Sequence, residues 1–187
     1  CNIQAVLDHM VRTGLNAGGV TYKLRGYCAF DWRSKELTKV AIALGGALSI
    51  GFNLPGSWMN AAVWDTSNAG GIVGGHDVSP GGYGPPAAIT TTADGVVVSS
   101  WGRLYLMTWA AWTSSRYVDE AYFMVPDFLW TGIDGVSPAG VNLDGMLVAM
   151  AAIKGGQVPQ LPDPAPDPTP DPPPVGGVRF SLPGGGL

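Results

Sequence analysis

An α+β domain is what this sequence predicts, from three observations. Two helical patterns occupy the first 44 residues, short apolar strand-like runs fill the middle of the chain, and one more helical pattern closes it ahead of a proline-rich stretch. Helices that must bury a stripe and strands that must bury a face are satisfied together when helices pack on an antiparallel sheet.

The elements follow in chain order. Ile3, Val6, Leu7, Met10 and Val11 fall at i, i+3, i+4, i+7 and i+8, one apolar helical stripe, and Gly14 follows the last turn as a C-terminal cap. Cys1 stands at the start of this helix. Unpaired backbone N–H groups and the positive end of the helix dipole favour an anion there, so a thiolate at this place has a lowered pKa and is a better nucleophile. Residues 18–30 read as a loop with a short strand at 20–24. Ser34 as N-cap, Glu36 in the first turn, and Leu37, Val40, Ala41 and Leu44 at helical spacing specify a second helix closed by Gly45-Gly46. An apolar strand over 47–52 follows, then the turn Leu54-Pro55-Gly56 and an irregular stretch over 58–71. Strands are predicted at 74–79, 87–92, 95–99 and 121–126. Asn142 is the N-cap of a last helix over 143–153, ended by Gly155-Gly156.

Beyond residue 158 the chain is essentially a PDP repeat, which favours an extended polyproline II spacer. The domain is therefore expected at 1–156 and a Pro/Asp-rich linker at 157–176. Residues 177–187, with the strand-like 178–182, read as the start of a truncated C-terminal segment. A linker implies a folded unit on both sides, so a downstream domain or a larger assembly is an expected partner.

Composition narrows the functional classes. At 187 residues, 46% hydrophobic and 13% charged, the chain can bury one sizeable core. A net charge of -4 with ten unclustered Lys and Arg provides no electrostatic footprint for nucleic acid or an anionic membrane. No apolar run approaches the roughly 20 residues that cross a bilayer. Two cysteines make no disulfide framework, and Cys28, between Tyr27 and Ala29, reads as a core residue. Cys1, His9, Cys28 and His76 lack metal-ligand spacing, so neither metal nor cofactor is expected, and His9 belongs to the polar flank of the first helix.

The chemistry-bearing residues are Cys1, His76 in Gly75-His76-Asp77-Val78 with Gly82-Tyr83 after it, and Ser99-Ser100-Trp101-Gly102. His76-Asp77-Val78 with Gly82-Tyr83 resembles the H-A-V-x-x-x-G-Y pattern of papain-like cysteine peptidases. Val97 to Gly102 resembles the K-N-S-W-G strand of that family, and Asp119-Glu120-Ala121-Tyr122-Phe123 its E-N-G-Y-x strand. The second helix running into ALSIGF is similar to the family's helix and P-V-S-V-A-I strand, and Cys1 with its helix corresponds to the nucleophile helix. The resemblance covers about residues 1–126 in matching order and implies a papain-like α+β fold, a nucleophile helix on an antiparallel half-barrel. The span from Cys1 to His76 is short for the family, so a pared-down helical half is expected.

The resemblance implies Cys1 as thiolate nucleophile and His76 as its ion-pair partner and proton donor to the leaving group. The family's histidine-orienting Asn falls on Ser99, whose hydroxyl can accept the imidazole N–H but holds it less firmly than an amide. Trp101 would cover that bond, with Gly75 as support beside the histidine. Asp77, adjacent in the strand to His76, is expected to point to the other face.

The family's oxyanion donors, an upstream Gln and the nucleophile's own amide, do not occur in the chain as it stands. The expectation adopted is a fragment whose upstream residues supply them; the other resolution is an N-terminal nucleophile whose own amine acts as base. The expected activity is hydrolysis of a peptide or amide bond in a peptide or protein substrate. Two alternatives stand beside it: a catalytically silent papain-like module of a larger, phage-associated protein or virion, and a cell-wall amidase of related Cys-His design.

Overall fold

The structure is a computed structural model that describes residues 2–44, 47–89, 92–127, 136–137 and 140–159. Cys1, Gly45-Gly46, Thr90-Thr91, Trp130 and nearly all of the proline-rich and C-terminal stretch lie outside the described residues.

The architecture is α+β, with a mostly antiparallel sheet. Helix α1 (Ile3–Arg12) is capped by Asn2, whose side chain accepts the Ala5 N–H at 3.0 Å. Its C-terminal turn ends at Gly14 with φ +88°. That is the left-handed position a glycine fills without a Cβ clash. A small hairpin of β1 (Leu15–Ala17) and β2 (Val20–Tyr22) leads to β3 (Leu24–Ala29). The strand expected at 20–24 is thus two elements, β2 and the start of β3. Helix α2 (Lys35–Ala43) begins at the expected N-cap, Ser34, which accepts the Leu37 N–H. After β4 (Ala47–Pro55), a 3₁₀ turn (Gly56–Asn60) and β5 (Val63–Trp64) break up the stretch expected to be irregular.

Strand β6 (Ile72–Tyr83) runs beyond both ends of its expected range. The strand expected at 87–92 is absent from the described part of that range. Residues 87–89 form a turn in which Ile89 N–H donates to the Pro86 carbonyl, because Pro85-Pro86 cannot donate to a ladder. Strand β7 (Gly95–Ser100) is followed by β8 (Arg103–Thr108) and the short helix α3 (Trp109–Trp112), none of which but β7 was expected. Strand β9 (Val118–Pro126) and helix α4 (Leu143–Lys154) complete the described elements, and Asn142 caps α4 by accepting the Gly145 N–H at 2.8 Å.

The large sheet has seven strands in the order β3-β9-β4-β6-β7-β8-β5, antiparallel except for the β5–β8 pair. Each central strand alternates between two faces. On one face Tyr122 and Met124 of β9 meet Ile3 and Leu7 of α1. On the other, Leu48, Ile50 and Phe52 of β4 and Phe123 and Val125 of β9 join the main core with α2 and α4. Val6, expected in the buried stripe of α1, is 39% exposed because the sheet touches only the turn lines of Ile3 and Leu7. Cys28 is buried; its thiol donates to the Met150 carbonyl, and burial pushes its pKa up to about 11. It is a packed thiol, not a reactive one.

Candidate functional site

His76 projects from β6 opposite Phe52 of β4. Three neighbours define its setting. The Phe52 ring stands edge-on at 5.6 Å between centroids, and the Trp101 indole stacks on the imidazole at 4.5 Å with the planes 13° apart. The third neighbour is a hydroxyl: His76 Nε2 and Ser100 Oγ are hydrogen-bonded at 2.6 Å. Burial against the aromatic rings favours the uncharged imidazole and lowers the His76 pKa, opposed in part by the negative charge of Asp77.

The serine that meets His76 is therefore Ser100, and Ser99 is not at the imidazole. Strand periodicity is the reason. Val96, Val98 and Ser100 are buried on one face of β7, whereas Ser99 is exposed on the other. The alternation Val-x-Val-x-Ser was available in the sequence as a signal. Position 99 corresponds to the family's Asn only by its distance from Trp101-Gly102, and its parity turns it to the outer face. Replacing Ser100 with alanine should move the His76 ring-nitrogen NMR shifts by changing the tautomer, while Ser99→Ala leaves them in place. The opposite pattern would contradict this geometry.

Trp101 reaches His76 through an unusual backbone. β7 and β8 are joined by the two-residue turn Trp101-Gly102, with φ of +47° and +71°. Positive φ at both central positions marks the type I′ hairpin turn, where Asn-Gly is the ordinary choice. A tryptophan there is strained. The surrounding rings hold it: Trp101 stands edge-on to Trp64 and to Tyr105, at 6.3 and 5.9 Å. Its indole is half exposed, so one face covers the imidazole and the rest meets solvent.

On the sheet beside β6, where the imidazole and the Phe52 ring turn to the main-core face, lies a cleft of about 280 Å³. Its walls are Ile3 of α1, Gly51 and Phe52 of β4, Gly75, His76 and Asp77 of β6, and Asp119 and Glu120 of β9. Gly51 permits this closeness, since a Cβ there would lie 2.8 Å from both Ile3 Cδ1 and Glu120 Cγ. Asp77 points to the face opposite His76, as strand alternation requires, and its Oδ1 accepts the Ser49 hydroxyl at 2.9 Å. Partial desolvation raises the Asp77 pKa against the lowering effect of that bond. The Tyr122 hydroxyl donates to Glu120 Oε2 at 2.7 Å; burial and then this carboxylate push the tyrosine to about 12.

Of the residues expected at the site, His76 and Gly75 are among the residues lining this cleft, and Trp101 stacks on the His76 ring. Cys1 lies outside the described residues; α1 begins two positions after it, with Asn2 as the cap. The Asp119–Phe123 segment, matched by sequence to the strand after S-W-G, lies in β9 between β3 and β4, and β8 is the strand that pairs with β7. Asp119 and Glu120 reach the cleft nonetheless, which sequence reasoning missed. Among the described residues no group of three or more His, Cys, Asp and Glu has metal-binding geometry. No described helix is long and apolar enough to cross a membrane.

Comparison with known proteins returned no protein-family model that matches the chain and no significant match among curated proteins.

Proposed function

We propose that the chain is a papain-like cysteine hydrolase acting on peptide or amide bonds, with Cys1 as nucleophile, His76 as its proton partner and Ser100 as the group that orients His76. The observation that supports this reading is the His76–Ser100–Trp101 arrangement itself, an imidazole held by a hydroxyl at 2.6 Å and stacked on an indole on an antiparallel sheet.

The chemistry follows from the bond at Nε2. When Nε2–H donates to Ser100, the Nδ1 lone pair is left to take the thiol proton, giving thiolate and imidazolium. The thiolate attacks the carbonyl carbon, and the imidazolium proton passes to the leaving amine as the acyl-thioenzyme forms. Water, deprotonated by the same imidazole, then releases the acid and regenerates the thiol. Ser100 is buried and bonded to Nε2, which suits it to hold the ring and bars it from attacking a substrate itself.

Alkylation by a thiol-reactive peptide epoxide tests the reading. Cys1 should be labelled at neutral pH far faster than an exposed cysteine in an unfolded peptide, with Cys28 untouched. Labelling at the unfolded-peptide rate would leave the catalytically silent module as the reading. The carboxylates of Asp77, Asp119 and Glu120 favour that alternative, because negative charge at the cleft opposes thiolate formation.

A further inference from the structure

Helix α4 is apolar on every side. Apart from Asp144 and Lys154, each of its residues is apolar or glycine. A helix of this composition is ordinarily covered all round. Among the described residues α4 has cover on one side only: Met146, Ala149 and Ile153 are buried in the main core, whereas Leu147, Val148 and Ala151 are exposed, Val148 at 70%. The chemistry proposed at His76 makes no use of this face.

The exposed residues follow a pattern. Asp144, Leu147, Val148, Ala151 and Lys154 recur at helical spacing and form one stripe, with an acid at one end, a base at the other and apolar side chains between. Asp144 and Lys154 are equidistant from position 149 along the helix, and so are Leu147 and Ala151. Turned end for end, the stripe is its own complement: acid meets base, and the large Leu147 meets the small Ala151. Neither charge is paired within the described part of the chain, where the ion pairs are Arg25–Asp127 and Arg33–Asp31. Along the flank of the stripe, Gly145, Val148, Ala149 and Ala152 help to wall a groove of about 780 Å³, and side chains this small let a second helix approach closely.

We propose that α4 packs antiparallel on α4 of a second copy of this chain, across a two-fold axis level with position 149. Two Asp144–Lys154 contacts, one at each end, bracket Leu147, Val148 and Ala151 of both copies. Such self-complementarity of one surface patch is what a two-fold dimer requires. One helical stripe covers less than the roughly 800 Å² per partner of a standard interface, so the dimer is a weak one that forms at high micromolar concentration. The same charges also suit the helix dipole, acid at the N-terminus and base at the C-terminus, and the test separates the two roles.

Sedimentation equilibrium of the full chain from about 10 μM to 1 mM should show monomer and dimer in exchange. Val148→Glu sets two like charges near the two-fold axis and should abolish the dimer, with the thermal midpoint unchanged because the side chain is exposed. At low ionic strength Asp144→Lys should weaken the dimer about tenfold, since two attractive contacts become repulsive. Asp144→Lys/Lys154→Asp should restore it, although both new charges oppose the helix dipole and the double variant should melt at a lower temperature than the single one. A monomer throughout the range, a dimer that survives Val148→Glu, or a double variant that associates no better than Asp144→Lys would overturn the proposal. Monomers whose Leu147 and Val148 are shielded from hydroxyl-radical labelling would overturn it as well, and would show that another part of the same chain covers the face.

Discussion

Replacing His76 with alanine is expected to slow alkylation of Cys1 at neutral pH by about 10²-fold or more, the range of a lost proton partner. The same variant should lose peptide turnover while its thermal midpoint falls by only a few degrees, the cost of leaving the buried Ser100 hydroxyl without its partner, because the Phe52–Trp64 packing stays in place. Unchanged labelling in His76→Ala would sink the nucleophile assignment.

Titration of His76 by NMR gives the matching result. Burial holds its pKa below the ordinary imidazole value. In Cys1→Ala the midpoint should stay low, and in the intact chain a thiolate partner should raise it. Identical midpoints in the two proteins would mean that no ion pair forms. The sign for stability in Cys1→Ala follows from linkage. The folded state holds the His76 proton more weakly than the unfolded chain does, so between the lowered folded pKa and the unfolded value the unfolded chain binds more protons. His76 therefore subtracts from stability as pH falls through that window, and contributes no pH dependence above the unfolded value.

Trp64→Ala should give the largest loss of stability among the aromatic residues at the site, about 3–5 kcal/mol. Trp64 is completely buried, stacks on Trp58 and Tyr105 at 5.7 and 4.7 Å, and donates its Nε1–H to the Trp58 carbonyl at 2.9 Å. Alanine removes all three interactions and leaves a cavity. For a domain of this size the thermal midpoint should fall by about 10 °C, at roughly 2–4 °C per kcal/mol. The effect should reach the site, because Trp64 is among the rings that hold Trp101 in its positive-φ turn. With that support gone, Trp101 should leave His76, seen as a change in the His76 ring-proton shifts at temperatures where the variant is still folded. A midpoint lowered by less than 3 °C would show that the neighbouring rings close the gap and that Trp64 is not the support of this wall.

Much of the local structure was legible in the sequence because local chemistry decides it. Ser34 and Asn142 cap their helices through side-chain oxygens placed three residues before the amides they bind, a relation contained in the sequence alone. The apolar strands over 47–52 and 121–126 were legible for the same kind of reason, since β-propensity and turn residues bracket them. Elements that failed depended on partners. Arg103 and Leu104 expose their side chains at the start of β8, which blurs the strand pattern, yet the ladder to β7 fixes that segment as a strand. The run at 87–92 has strand-forming residues, and two prolines before it set a turn.

The sequence by itself determined the α+β class, the helix caps, and the order in which Cys1, His76 and Trp101 occur. Only the tertiary structure decided which face of β7 meets the imidazole and which charges lie beside β6. Side-chain parity in β7 is fixed by which face the ladder buries, so Ser100 turns inward with Val96 and Val98 while Ser99 turns out. Asp119 and Glu120 come to the cleft because β9 pairs with β4, from residues more than sixty positions away in the chain, and no local preference encodes that pairing.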